Sequence, residues 1–196
     1  MDIAQRVQSI LLKPKEEWAK IKAEPATAAG LFTSYVMVLA AFPAGFQFLG
    51  NVLVGRRLPL VGVFRWPIGR ALGYAVVSYI LWIAAVYLFA LIINELAPSF
   101  SSAKNMTNAL KLAVYSMTPG WVAGILYIIP GLWALGVLAS LYGLFILYLG
   151  FDTPLMETPK KKIPGYMLLS VVVVAVLYVV FGWIVKGAFA VRYGRL

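Results

Sequence analysis

Uncharged apolar runs alternate with short charged stretches along most of the chain, and each run is about the 20 residues a helix needs to cross the hydrocarbon core of a bilayer. Five such runs predict five spans, at about residues 28–52, 71–93, 112–129, 131–150 and 166–184. Pro43 lies inside the first run, and Asn94 and Glu95 close the second. Thr118-Pro119-Gly120 interrupts the third, which Pro130-Gly131 alone joins to the fourth. Backbone polar groups in hydrocarbon must be paired internally, so each run is expected to be helical despite β-branched stretches such as Val171–Val174. Transmembrane barrel strands would alternate polar and apolar positions over about ten residues, and these runs do not. The predicted fold is an all-α integral membrane protein: a leader over 1–27, a five-transmembrane-helix bundle within 28–189, and a short external tail over 190–196.

The leader has a different pattern. Ile3, Val7, Ile10, Leu11, Trp18 and Ile21 recur at helical spacing, with Arg6, Lys13, Lys15, Glu16, Glu17, Lys20 and Lys22 between them. Pro14, followed by Glu16 and Glu17, marks the start of a second short helix with acids near its positive end. Two placements fit this pattern. The leader is an amphipathic interfacial helix anchored by Trp18, or the same apolar stripe packs on the cytoplasmic ends of the bundle. Because the first apolar run begins only near residue 28, after a charged leader longer than a signal-peptide n-region, no cleavable signal is expected and span one is expected to be retained.

Composition sharpens the class. The chain is 62% hydrophobic and 12% charged, whereas soluble domains are about 45–50% apolar and about 25% charged. With no histidine and no cysteine, the usual thiol nucleophile, imidazole base and zinc, haem or iron–sulfur ligands are missing. No glycine-rich phosphate loop or catalytic triad occurs either. The expectation is therefore a non-enzymatic protein with no catalytic residues, no cofactor and no metal site. The net charge of +10 reads as basic flanks against anionic headgroups rather than nucleic-acid binding. If the leader and the second and fourth loops share one side, that side holds ten Lys and Arg against seven on the other. That bias predicts a cytoplasmic N-terminus and an external C-terminus.

Several local patterns coincide in order. The segment Leu12–Pro25, with its Pro14…Trp18…Ile21…Glu24-Pro25 spacing, resembles the N-terminal segment of the bacterial Yip family. Ala113–Trp121 resembles that family's third span. Pro130-Gly131-Leu132-Trp133, Leu141–Leu144 and Tyr148–Phe151 resemble its fourth. The resemblance implies a small five-span protein of the bacterial cytoplasmic (inner) membrane. Eukaryotic relatives in that family bind prenylated Rab-type GTPases and partner Yip proteins through long cytosolic N-terminal domains. The leader here is only about 27 residues, so the resemblance does not carry GTPase binding over.

Four constellations are candidates for chemistry or contact. Pro119 in a helix interior would free the carbonyl of Tyr115 and kink the span. That carbonyl, with Ser116, Thr118 and Gly120 close by, is either a ligand site of the broken-helix kind or a bend satisfied by Ser116 or water. Glu95 is the acid nearest a span and is expected to pair at the interface with Lys104 or Lys111. Gly120 and Gly124, with the small pairs Gly136/Ser140 and Ala139/Gly143, permit close helix approach, within the chain rather than in a dimer. Arg56, Arg57, Arg65 and Arg70 flank an apolar loop on the external side and are candidates for an anionic-lipid site. The leading functional expectation is a non-enzymatic protein acting through packing with a membrane-protein partner or homo-oligomer, or through lipid organisation. The alternative is a small solute or ion transporter with a pathway past Pro119 and Glu95.

Overall fold

The computed structural model describes residues 2–58 and 62–189; the expected external tail over 190–196 lies outside them. Two short helices come first, α1 (Ile3–Leu12) and α2 (Pro14–Ala23). Lys13 leaves the helical region between them because the residue before a proline is pushed away from it, and Pro14 then opens α2 at a position needing no N–H. Five long apolar helices follow, each long enough to cross a membrane: α3 (Ala28–Val54), α4 (Ile68–Phe100), α5 (Met106–Ile128), α6 (Pro130–Asp152) and α7 (Lys160–Phe189). Each coincides with one of the five runs read from the sequence, α5 stopping one residue short of its run, and α4, α5 and α7 extend beyond theirs by a turn or more.

The helices are irregular where the sequence makes them so. Thr27 caps α3 by accepting from Gly30 N–H at 3.1 Å. Thr33 and Ser34 then return hydroxyl bonds to the carbonyls of Ala29 and Gly30, competing with the backbone ladder, and Phe32–Val36 widens into a π-turn. A second π-turn, Gly50–Val54, ends α3. Gly55, at φ 74°, turns the chain sharply into an antiparallel hairpin of β1 (Arg56–Leu58) and β2 (Gly62–Phe64), with Arg57 opposite Val63. Sequence patterning had not indicated these strands.

The core centres on the first half of α5, into which both leader helices pack. Ile10, Trp18 and Ile21 are fully buried. Trp18 is therefore not the interfacial anchor of the first placement; the apolar stripe of the leader packs on one end of the bundle, as the second placement has it apart from the side of the membrane. Its indole N–H donates to Ile146 O of α6 at 2.9 Å, and its ring fills a slot left open by Gly150, where a Cβ would stand 2.7 Å from Trp18 Cζ2.

Candidate functional site

The break in α5 is a restart rather than a kink in a continuous helix. Regular helix ends at Ser116, Met117 turns, and a second helix runs Thr118–Ala123 with Pro119 in its first turn. There the missing N–H costs nothing. The Met117 N–H folds back onto Val114 O at 3.3 Å, a tightened turn that ends the first helix before Pro119. Ser116 Oγ donates to Ala113 O at 3.0 Å, not to Tyr115. Thr118 Oγ1 is bonded to Tyr35 Oη of α3 at 2.9 Å.

The small residues face neighbours within the chain. Gly143 lies against the carbonyl oxygen of Ser116, and a Cβ on Gly120 would stand 2.9 Å from Ser140 Oγ. Both contacts join α5 to α6. Gly124 instead abuts Pro43 of α3, and Gly136 abuts the ring of Tyr127. Ala139 is half-buried on α6.

Glu95 pairs with Lys104 at 2.5 Å and accepts from Asn94 Nδ2. Lys111 does not reach it, which corrects that half of the expectation. Its ammonium is buried and donates to the backbone carbonyls of Ile21 and Glu24, each at 2.7 Å, closing the C-terminal end of α2, where a cation is favoured. The four arginines are divided. Arg56 and Arg57 are exposed on β1. Arg65 Nε donates to Leu53 O at 2.8 Å. Arg70 donates to Phe189 O and lies over the Trp66 ring, 4.6 Å from its centroid.

Sequence reasoning missed a polar cluster where the leader meets the bundle. Arg6, only 5% exposed, donates to the buried Glu17 at 2.5 Å and to Glu24; Glu17 also takes Lys20 at 3.1 Å. The Arg6 guanidinium lies 5.7 Å from the Tyr115 ring centroid, and that ring meets Tyr35 edge-on at 5.0 Å and Trp18 at 5.9 Å. In an amphipathic helix such charges read as a solvated face. A tryptophan inside a charged segment and a lysine between Leu110 and Leu112 were the only signals of burial.

Two concavities flank this cluster. One, of about 440 Å³, lies under the leader and is bounded by Arg6, Glu24, Thr27, Ser34, Tyr35 and Tyr115. The other, of about 600 Å³, is a cleft within the bundle whose walls include Pro43, Phe89, Met117, Ser140, Val174 and Tyr178. Both fall within the usual size of ligand sites, about 300–1,000 Å³. The bonded pair Tyr35–Thr118 and the buried Trp121, whose ring lies 6.4 Å from that of Tyr35, stand between them. Among the described residues, no group of three or more acidic side chains could hold a metal ion.

Comparison with known proteins places this architecture. Residues 9–184 match the Yip1 domain family. The chain is 24% identical over 150 residues to the inner membrane protein YohC of Escherichia coli strain K12, covering 75% of this chain and 77% of the relative. The protein of the same name from E. coli O6:H1 strain CFT073 matches with the same identity and coverage. No solved structure matches the chain.

Proposed function

The chain belongs to the Yip1 domain family and is a multi-pass membrane protein, and from that premise we propose that it is a non-enzymatic organiser of phospholipid in a bacterial inner membrane, seating an acyl chain in the cleft of the bundle. The observation that carries this reading is the cleft itself. It opens outward past Val137, Ser140 and Tyr178, all exposed on the surface of α6 and α7, where the surrounding medium is lipid tails. Its two serines are already bonded, Ser116 to Ala113 O and Ser140 to Gly136 O, and apart from Trp82, Trp121, Tyr127 and Tyr178, whose rings are largely apolar, the rest of the wall is mostly apolar. A permeation path would need more polar surface at several depths, which favours lipid over solute. The small residues that would suit a partner helix are occupied by Ser140, Pro43, Tyr127 and Ser116 within the chain, which favours lipid over oligomerisation. The relatives named as inner membrane proteins support the location. The Lys and Arg bias supports a cytoplasmic leader and an external C-terminus.

Reconstitution with a phospholipid carrying a nitroxide on its acyl chain tests the reading. The spectrum is expected to contain a motionally restricted component that Ala175→Trp, which fills the cleft, removes while helix content is kept. A restricted component unchanged by Ala175→Trp, or solute flux into liposomes that Ala175→Trp blocks, would overturn it.

A further inference from the structure

The cavity under the leader has an unusual inventory for a place at the mouth of a membrane span. We propose that it binds the headgroup of a zwitterionic phospholipid bearing a primary amine, with the phosphate toward Arg6 and the ammonium toward Glu24.

The donors come first. A guanidinium carries five N–H groups in a fixed fork. Arg6 spends one on Glu17 and one on Glu24, leaving three on a side chain that bounds the cavity and is almost fully buried. Thr27 Oγ1 accepts from Gly30 N–H and keeps its own proton free to donate. Tyr115, 8% exposed, bounds the same cavity, and among the described residues its hydroxyl has no hydrogen-bond partner. That hydroxyl is not one of the enclosed unpartnered atoms of the fold, so it is accessible and free to donate to a ligand in the cavity. Three donor groups converge, and an ionised phosphate diester is the membrane acceptor that suits a guanidinium fork.

The acceptor side sets the sign. The Glu24 side chain is 45% exposed, unlike that of Glu17 at 1%, and it stands at the cavity wall with its backbone carbonyl held by Lys111. An anionic headgroup with no cation would add a third negative charge to an Arg6 that already pairs with two carboxylates. A headgroup with an ammonium places opposite charges against Arg6 and Glu24 together, and a primary amine brings three N–H donors where a quaternary one brings none. Depth agrees as well. Thr27 caps α3 and Ser34 follows seven residues later, about 10 Å deeper along a helix rising 1.5 Å per residue. That spans the headgroup layer and the edge of the hydrocarbon.

This inference rests on the lipid-organising reading but uses a different cavity, so the two fail separately. The test is native mass spectrometry of the full chain released from nanodiscs holding equal amounts of phosphatidylethanolamine and phosphatidylglycerol. Retained phosphatidylethanolamine is expected to exceed phosphatidylglycerol. Tyr115→Phe, which removes only the hydroxyl, is expected to lower that retention roughly tenfold or more, the equivalent of one charge-assisted hydrogen bond. Glu24→Gln is expected to abolish the preference while leaving phosphate-bearing lipids bound. Arg6 is avoided because its loss leaves the buried Glu17 with Lys20 alone and takes the partner of Glu24, which threatens the fold. Equal retention of both lipids by the native chain, or a preference unmoved by both variants, would overturn the proposal. So would displacement of the lipid by soluble glycerophosphoethanolamine, which would make the site one for a free phosphate ester. If the preference is absent while Ala175→Trp still removes the restricted spin-label component, the headgroup site falls and the acyl-chain reading stands; if both are absent, both fall.

Discussion

The two ends of the bundle are built by different means. At the leader end, side chains reach across the fold to backbone carbonyls. Trp18 bonds Ile146, Tyr166 bonds Ile93, Lys111 bonds Ile21 and Glu24, and Asn108 bonds Leu155. At the hairpin end Arg65 and Arg70 also reach carbonyls, those of Leu53 and Phe189, but there the backbones themselves come together. Gly50 lies against the carbonyls of Tyr127 and Ile128, and Gly124 lies against Pro43. There the helices finish irregularly, α3 in a π-turn and α5 in a 3-10 stretch over Gly124–Ile128. Where polar groups are fixed one by one, the geometry is fixed residue by residue. Where contact depends on missing side chains, it tolerates irregular backbone but no added atoms. The lesson is that the leader belongs to the folded core of this protein rather than being an appendage to it.

Removing the indole that joins leader to bundle should break this contrast most severely. Trp18→Ala empties a fully buried site, strands Ile146 O as far as side chains are concerned, and should cost about 3–5 kcal/mol. Limited proteolysis would then cut the leader while α5 to α7 remain protected. Resistance of the leader equal to that of the native chain would show that the core does not extend into it.

Adding atoms at the other end should do less. Gly124→Leu places a side chain where a Cβ already stands 2.5 Å from Pro43 Cβ, and overpacking of this kind costs about 1–3 kcal/mol. Thermal unfolding in detergent should begin at the hairpin end, with protection of the leader unchanged. The smallest effect is expected at the break. Pro119→Ala restores an N–H in the first turn of a helix, where none is used, so stability should change by less than about 1 kcal/mol. A larger loss would mean that the proline ring itself holds the restart in place.

The five spans were legible because hydropathy over about 20 residues is decided by the solvent, not by neighbours. The break at Thr118-Pro119-Gly120 was legible too, since proline acts locally, but its form was not. Whether a proline kinks a helix or opens a new one depends on what Met117 and Ser116 find to bond, and that is tertiary information. The hairpin escaped notice because three-residue strands carry almost no periodic signal, and its arginines read as a charged loop until Arg65 and Arg70 were seen to bond Leu53 and Phe189. The Arg6–Glu17–Glu24 cluster was hidden for another reason. Charges at helical spacing look the same whether water or a second helix lies outside them, and here α5 and the start of α3 supply the covering.

The π-turn over Phe32–Val36 has a consequence for chain length. A π-turn holds one residue more than the α-turn it replaces, and one residue corresponds to about 100° of helical phase, at 3.6 residues per turn. Deleting a single residue there would let the wide turn close into ordinary α-helix with the faces before and after it still in phase, because the turn itself takes up the extra residue. The same deletion in the regular helix that follows, over Met37–Leu49, has no wide turn to absorb it and would rotate everything before it by about 100° relative to everything after it. Thr27, Gly30 and Tyr35 would then swing away from Thr118, and the cavity under the leader would lose one wall while every side chain that builds it remained in the sequence. Along α3, residue count matters as much as residue identity except where the π-turn takes up the difference.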